Sequence, residues 1–444
     1  MSRAAVGSTR ALACVALALA LALAAGAQAA PLARGDAAQR TVAAIEIRGL
    51  HRTSLHVVER ELLIAVGSAL DLEALDETIR RLSNLGIFRV VRAELNAGAA
   101  GLRVVIDCDE KWTLLPIFSA GRGGGLLYLS TGGTEINLAG RHIELGGTYT
   151  YLGGSHAGLL WLTNPRLADR YLRLSTVAGY DNRIRVLYDQ AGRAIGGWTR
   201  HRAQAAITLQ AVPDPRRWVI GGGLIVGRDA YDRSLLTSAL RASGDANGIT
   251  PPSDRVDLIS QLNFRLGRVD TTDYFQRGAA VKGTVEMASS AVGSGMSFVR
   301  ATVHGYGFLR VGDTGNLGAR LSLAAISAPV PERMFYVGGL SWKRGFAEGR
   351  YRGTRVWNLN LEGRVSSVHR RLVALQHVLF FDIGDVAYDA GDLVGLSRVP
   401  PFSLGTGVRF ILPMIARFIA RLDVAIAFGA QTEWRVSFGS AQFF

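Results

Sequence analysis

One arginine that can reach two carboxylates is the most specific chemistry in this sequence. Arg344 lies in "GGLSWKRGFAEGRYRG", residues 338–353, with Lys343, Glu348, Arg350 and Arg352 nearby and glycine-rich turns around them. Glu362 and Asp382 follow on the next two alternating segments, on one parity. A planar guanidinium can hold two carboxylates at once, whereas a lysine ammonium is a compact point charge. An adjacent arginine keeps both carboxylates ionised, which suits a structural ion pair better than proton transfer. Gly345 allows tight backbone geometry and Phe346 offers an apolar anchor. The expectation is a buried lock of Arg344, Gly345 and Phe346 against Glu362 and Asp382. A solvated loop charge is the alternative.

Other combinations carry less. His142, His156 and His201 show no metal-ligand spacing with cysteines, and Ser, His and Asp are scattered without a nucleophile elbow. "GRGGGLL" at 121–127 lacks the following helix and the Lys-Ser/Thr of a phosphate loop, so it reads as a turn between strands. Trp161, Trp198, Trp218, Trp342, Trp357 and Trp434 read as interface anchors or packing. No enzyme, cofactor or metal is expected.

The first thirty residues read as a secretory leader. Arg3 and Arg10 precede the apolar "ALACVALALALALAA", and "AQA" at 27–29 offers a small-residue cleavage site. Removal of 30 residues from 444 leaves 414 and one cysteine, Cys108, which cannot form an internal disulfide and suits a small buried role. The net charge of +14 would fit nucleic acid in another compartment, but an exported chain meets anionic lipid and polysaccharide instead. After the leader no run of eighteen apolar residues occurs, so any membrane crossing must use strands.

Residues 41–110 form a small α/β pattern. "VAAIEI" suggests a strand, and "SLHVVERELL" puts Leu55, Val58 and Leu62 on one helical face. Asp71 can cap a second helix carrying Leu72, Leu75, Ile79 and Leu82. "IFRVVRAEL" and "LRVVIDC" alternate as paired strands. From 112 to 444 there is no evident amphipathic helix, only strands and turns. They are expected near 113–120, 124–137, 142–151, 157–163, 171–186, 198–210, 217–227 and 257–269. Eight more follow near 277–287, 298–311, 316–326, 353–366, 372–386, 402–411, 417–429 and 432–444. Sixteen strands with mostly short loops suit a transmembrane barrel.

Alternation is clear near the end. In "VWNLNLEGRV" Trp357, Leu359, Leu361 and Val365 oppose Asn358, Asn360, Glu362 and Arg364. In "RFIARLDVAIAF" Phe418, Leu422, Val424, Ile426 and Phe428 oppose Arg421 and Asp423. A soluble sandwich would alternate in the same way with its apolar face inward. Phe444 follows Trp434, Val436 and Phe438 on one parity, which places it on the apolar face of a closing strand.

These motifs together resemble the superfamily of the BamA/TamA outer-membrane assembly proteins and the two-partner secretion transporters. The stretch "LSNLGIFRVV" with its hairpin resembles a POTRA (polypeptide-transport-associated) domain. "KRGF" at 343–346 is similar to the family's VRGF/Y motif on a loop that folds into the lumen, with Lys343 in place of an apolar residue. "NLEGRV", "FFDIGDV" (Phe381, Asp382, Gly384), "GTGVRF" and "RLDVAI" match the strands that follow, and "EKWTLLP" and "INLAGR" match the barrel's start. The single POTRA is a departure, since the insertase and the secretion transporters have more.

The resemblance implies a signal peptide at 1–30, a periplasmic POTRA domain at 41–110 and an outer-membrane barrel of about sixteen antiparallel strands at 112–444. It further implies assembly or translocation of envelope proteins, with unfolded client strands bound by β-augmentation. The implied partners are outer-membrane or secreted clients, outer-membrane lipids with lipopolysaccharide, and periplasmic accessory proteins. Phe444 would be the assembly signal. A passive channel or structural surface antigen is the alternative, and a dedicated two-partner secretion pore ranks third.

Overall fold

The computed structural model describes residues 34–444 apart from 99–100, 124–125, 153–154, 215–217, 273, 340–341, 389–398, 415–418, 441 and 443. The leader at 1–30, the centre of the 121–127 turn and Phe418 lie outside the described residues. The chain divides into two compact units.

Residues 34–110 form an α/β layer, of which 34–50, 61–82 and 91–109 make up the smaller unit. The layer's strands β1 (Val42–Arg48), β2 (Phe88–Gly98) and β3 (Gly101–Glu110) are ordered β1-β3-β2, with β1 parallel to β3. In sequence, helix α1 (Arg34–Ala37) precedes β1, and α2 (Leu55–Glu59) and α3 (Leu72–Asn84) follow it. Asp71 caps α3 by accepting the Glu73 N–H at 2.8 Å. Leu75 and Leu82 are fully buried, as are Val104, Ile106 and Cys108 of β3. Helix α2 is shorter than the apolar spacing suggests. It ends at Glu59, its buried pair is Val57 and Val58, and Leu55 is exposed. Two adjacent valines make a poor long helix face, so the element stops after little more than one turn.

The larger unit is one antiparallel sheet of sixteen strands in chain order. Its first seven strands are β4 (Leu114–Gly123), β5 (Leu126–Leu138), β6 (Ile143–Leu152), β7 (Ser155–Asn164), β8 (Leu172–Tyr188), β9 (Ala194–Asp214) and β10 (Trp218–Asp232). β11 (Arg255–Thr272), β12 (Phe275–Ala288), β13 (Phe298–Val311) and β14 (Gly315–Ile326) continue it. After a long excursion holding the short ribbon β15 (Phe335–Val337) and β16 (Tyr351–Gly353), the sheet resumes. It closes its run with β17 (Arg355–His369), β18 (Ala374–Ala387), β19 (Phe402–Ile411), β20 (Ile419–Phe428) and β21 (Glu433–Ser440). The sheet curls until β4 and β21 come into contact, although the ladder order does not pair them. This is a nearly closed barrel.

Three expectations are corrected. The 171–210 region is more fully paired than its pattern suggests, because β8 and β9 run on to Tyr188 and back from Ala194. A helix, α4 (Ser238–Ala246), stands in the β10–β11 loop, where none was expected. Thr237 caps it by accepting the Leu240 N–H, and it carries too few apolar residues for a periodic signal. The last strand ends at Ser440 and not at 444.

Burial decides which face is which. Asn358, Asn360, Glu362 and Arg364 of β17 are at most 3% exposed, whereas Leu361 and Val365 are 40% and 56% exposed. The polar parity therefore lines the interior and the apolar parity faces outward, the pattern of a barrel in lipid. Register carries this arrangement, since a slip by one residue would send every charge outward. A lipid-facing arginine should then cost in proportion to depth. Leu361→Arg, near the middle of β17, should lower the unfolding free energy by about 2–4 kcal/mol, and Val311→Arg, at the end of β13, by about 0–1. Urea unfolding in lipid micelles measures both; equal costs would contradict the assignment of faces.

Candidate functional site

The excursion between β14 and β17 folds into the barrel interior. Lys343, Arg344, Phe346 and Ala347 at its tip are all buried. Arg344 makes a fork with Asp382 on β18: Nε donates to Oδ2 and Nη2 to Oδ1, each at 2.8 Å, and its backbone N–H donates to Oδ2 at 3.0 Å. Nη1 donates to Glu362 Oε1 on β17 at 2.7 Å. The plane of the guanidinium lies over the Phe380 ring, Cζ 3.6 Å from its centroid. Burial works against the charge on Arg344, but the hydrogen bonds and charge of Asp382 and the charge of Glu362 outweigh it and raise its pKa.

The β17–β18 register explains why both carboxylates are in reach. Asn360 lies opposite Asp382 and Glu362 opposite Phe380, so the two acids are diagonal neighbours on the inner face. Asn360 Nδ2 donates to Asp382 Oδ1 and to the Trp342 carbonyl, both at 2.8 Å. Glu362 also accepts from Arg364 Nη2 at 2.7 Å and from Arg409 Nη2 on β19 at 3.0 Å. Arg409 Nη1 passes the connection to Asp423 on β20 at 2.6 Å. Parity on the sequence marked Arg364, Arg409 and Asp423 as inward-facing but did not show that they share one cluster with Arg344.

Local chemistry seats the loop. Gly345 has φ +84°, and a Cβ there would meet Ala425 and Ala427 at 3.1 Å, so a side chain is excluded both by conformation and by the wall. Phe346 packs edge-on to Tyr351 with centroids 5.5 Å apart. Lys343 is buried and donates to the carbonyls of Gly384 at 2.6 Å and Pro401 at 2.9 Å. The Phe346 and Tyr351 rings lie 5.1 and 5.2 Å from its Nζ.

A second anchor lies on the other wall. Glu332 accepts from Arg185 Nε of β8 at 2.5 Å and from Trp198 Nε1 of β9 at 2.9 Å. Arg333 Nη2 donates to Asp257 of β11 at 2.7 Å, and Arg255 Nη2 donates to the Pro331 carbonyl at 2.9 Å. Arg202 of β9 bridges Asp229 of β10 and Asp257, at 2.9 and 3.4 Å. β8–β11 stand seven strands before β17–β20 in a ring of sixteen, so the two anchors grip nearly opposite walls and the loop crosses the lumen as a strut. Sequence reasoning missed Glu332 and Arg333. Their one signal was an acid–base pair beside prolines in "VPERM". Trp198 and Trp342 likewise serve the loop and the interior, not a membrane interface.

The outward facing expected of Phe444 is corrected. The Phe444 ring lies 6.0 Å from Phe308, with Arg320 and Arg364 over it at 5.3 and 5.7 Å. Arg364 Nη2 also donates to its carbonyl oxygen at 3.4 Å, and Arg409 Nε to Gln442 at 3.2 Å. These inward contacts turn the chain end toward the lumen cluster and off the lipid face. Among the described residues no three His, Cys, Asp or Glu side chains gather to hold a metal.

We propose that the Arg344 cluster locks the loop in the lumen. Arg344→Ala leaves the buried Asp382 carboxylate without a counter-charge and takes one of three arginines from Glu362, and should cost about 3–5 kcal/mol of barrel stability. Arg344→Lys should recover only part, because an ammonium cannot reproduce the fork. Glu362→Gln should also weaken the barrel. Both Arg344 variants should expose residues 338–353 to protease; three variants indistinguishable from the parent would remove the lock.

The comparisons with known proteins agree with this geometry. The description "Omp85 superfamily domain" matches residues 240–444, and "Surface antigen variable number repeat", the POTRA description, matches 40–111. Among solved structures, BamA from Haemophilus ducreyi lacking POTRA domains 1–3 is similar at TM-score 0.55 and 17% identity, over 90% of this chain and 84% of that one. CdiB from Escherichia coli is similar at TM-score 0.63 and 12% identity, over 90% and 76%. CdiB from Acinetobacter baumannii is similar at 0.57 and 14%, over 90% and 73%. At these identities the likeness concerns the fold. No curated protein matches by sequence. With one POTRA match at 40–111 ahead of it, the region 240–444 belongs to the Omp85 superfamily.

Proposed function

We propose that this protein captures unfolded client strands on its POTRA domain and inserts or passes them at the barrel. At the coarser level this is a non-enzymatic outer-membrane protein of the insertion or translocation class, with its POTRA domain in the periplasm. In this reading residues 1–30 are the leader, 41–110 the client-binding domain and 112–444 the barrel.

The observation that carries the reading is that β4 and β21 meet without a ladder between them among the described residues. Strand edges that touch without a ladder leave backbone donors and acceptors for a third strand, and a client needs no particular sequence to use them. The POTRA sheet adds a second edge. β2 is an outer strand of eleven residues, while the other outer strand, β1, is shorter and irregular between Val42 and Ala44. β2 is thus the better template for β-augmentation. Lipids and periplasmic accessory proteins would be further partners.

Depletion of the protein, followed by quantitation of the outer-membrane proteome, tests this. A broad loss of barrels supports assembly, loss of one secreted protein supports dedicated export, and an unchanged proteome would overturn both. A second expectation concerns the chain end. Phe444→Ser should reduce the heat-modifiable, membrane-inserted fraction while export to the periplasm continues, as read by gel shift and fractionation. Normal insertion would remove Phe444 as an assembly signal.

A further inference from the structure

A cavity of about 570 Å³ opens among the loops at the end of the barrel opposite the one where the chain enters it. Its walls come from the β8–β9 turn, the first turn of α4, the lumen loop and the start of β21, with Tyr188, Gly192, Thr237, Ala239, Arg350 and Arg435 among the lining residues. The lock and the client-binding reading use none of them.

Arg350 is the unusual member. It is only 6% exposed, yet its guanidinium has no hydrogen-bond or ion-pair partner among the described residues. Its neighbours are the Tyr188 and Tyr351 rings, 5.2 and 5.4 Å away. It is also pressed against the β8–β9 turn, where a Cβ on Gly192 would lie 1.8 Å from Nη2. A buried guanidinium without a counter-charge is costly unless an anion completes it. The other cation on the wall is already neutralised, since Arg435 Nη2 lies 2.6 Å from Glu433. The cavity thus carries one uncompensated positive charge.

A second wall also favours an anion. Thr237 and Ala239 bring the N-terminal turn of the nine-residue α4 to the cavity. Thr237 Oγ1 takes only the Leu240 N–H, at 3.3 Å, and the first amides of a helix have no carbonyl above them. A helix N-terminus with free amides attracts phosphate. A planar carboxylate matches one fork, whereas a tetrahedral phosphate presents oxygens to a guanidinium and to amides on a different wall at once. The space exceeds a bare phosphate, which leaves room for the group that carries it.

We propose that this cavity binds a phosphomonoester group, held between Arg350 and the first turn of α4. Two sources share that chemistry, a lipid headgroup and a soluble phosphate ester.

The test is calorimetric titration of the full chain in detergent with inorganic phosphate. The parent should bind saturably, Arg350→Gln about tenfold or more weakly, and the exposed control Arg371→Gln like the parent. Should Arg350→Gln fold poorly, Ala239→Glu serves as well. It keeps Arg350, changes an exposed helix position and places a carboxylate in the cavity, so binding should vanish while heat-modifiability is retained. Displacement of bound phosphate by phosphatidylcholine vesicles doped with phosphatidic acid identifies a headgroup. Displacement by glycerol 3-phosphate alone identifies a soluble ester. No saturable binding by the parent, or undiminished binding by folded Arg350→Gln or Ala239→Glu, overturns the proposal.

Discussion

The structure depends on keeping charge inside a wall whose outer face must be apolar. A barrel in lipid cannot place Glu362, Arg364, Arg409 or Asp423 outside, so each must find its partner on the inner face. Buried charges are tolerable only when paired and hydrogen-bonded. Arg344 meets that need from outside the sheet: it is a loop residue whose fork completes two carboxylates on neighbouring strands. The loop and the wall are therefore each other's counter-charges.

The loop is consequently more than a cover. It is held by β17 and β18 through Arg344 and by β8, β9 and β11 through the 331–333 segment. A strut between opposite walls stiffens the middle of the sheet, and β4 and β21 are the two ends of its ladder order. Under the proposed function, β4 and β21 form a seam that yields while the remaining strands hold shape. The inward turn of Phe444 onto Arg320 and Arg364 joins the chain end to the same ion cluster, close to the seam strand that precedes it.

How much was legible follows from the range of each interaction. Strand positions in 353–444 were readable because alternation is a nearest-neighbour property, and the pairing of Arg344 with Glu362 and Asp382 was readable because all three lay on consecutive elements of known parity. The second anchor was not, since Glu332 and Arg185 are 147 residues apart and neither belongs to a periodic motif. Helix α4 escaped notice for a related reason: its formation rests on a local cap and not on an apolar stripe.

By itself the sequence determined the β-rich class, the small α/β domain ahead of it, the sixteen strands and the inward parity of the charges. All of these rest on composition, local propensity or a period of two. Only the tertiary structure decided that the polar face is the buried one, because alternation reads the same in a sandwich and in a lipid-facing barrel. It also decided which arginine meets which acid, where the strand ends and Phe444 turns in, and that Arg350 is buried beside a cavity without a hydrogen-bond or ion-pair partner among the described residues. Those outcomes depend on curling the sheet until distant strands share one lumen, and no window of the chain contains that closure.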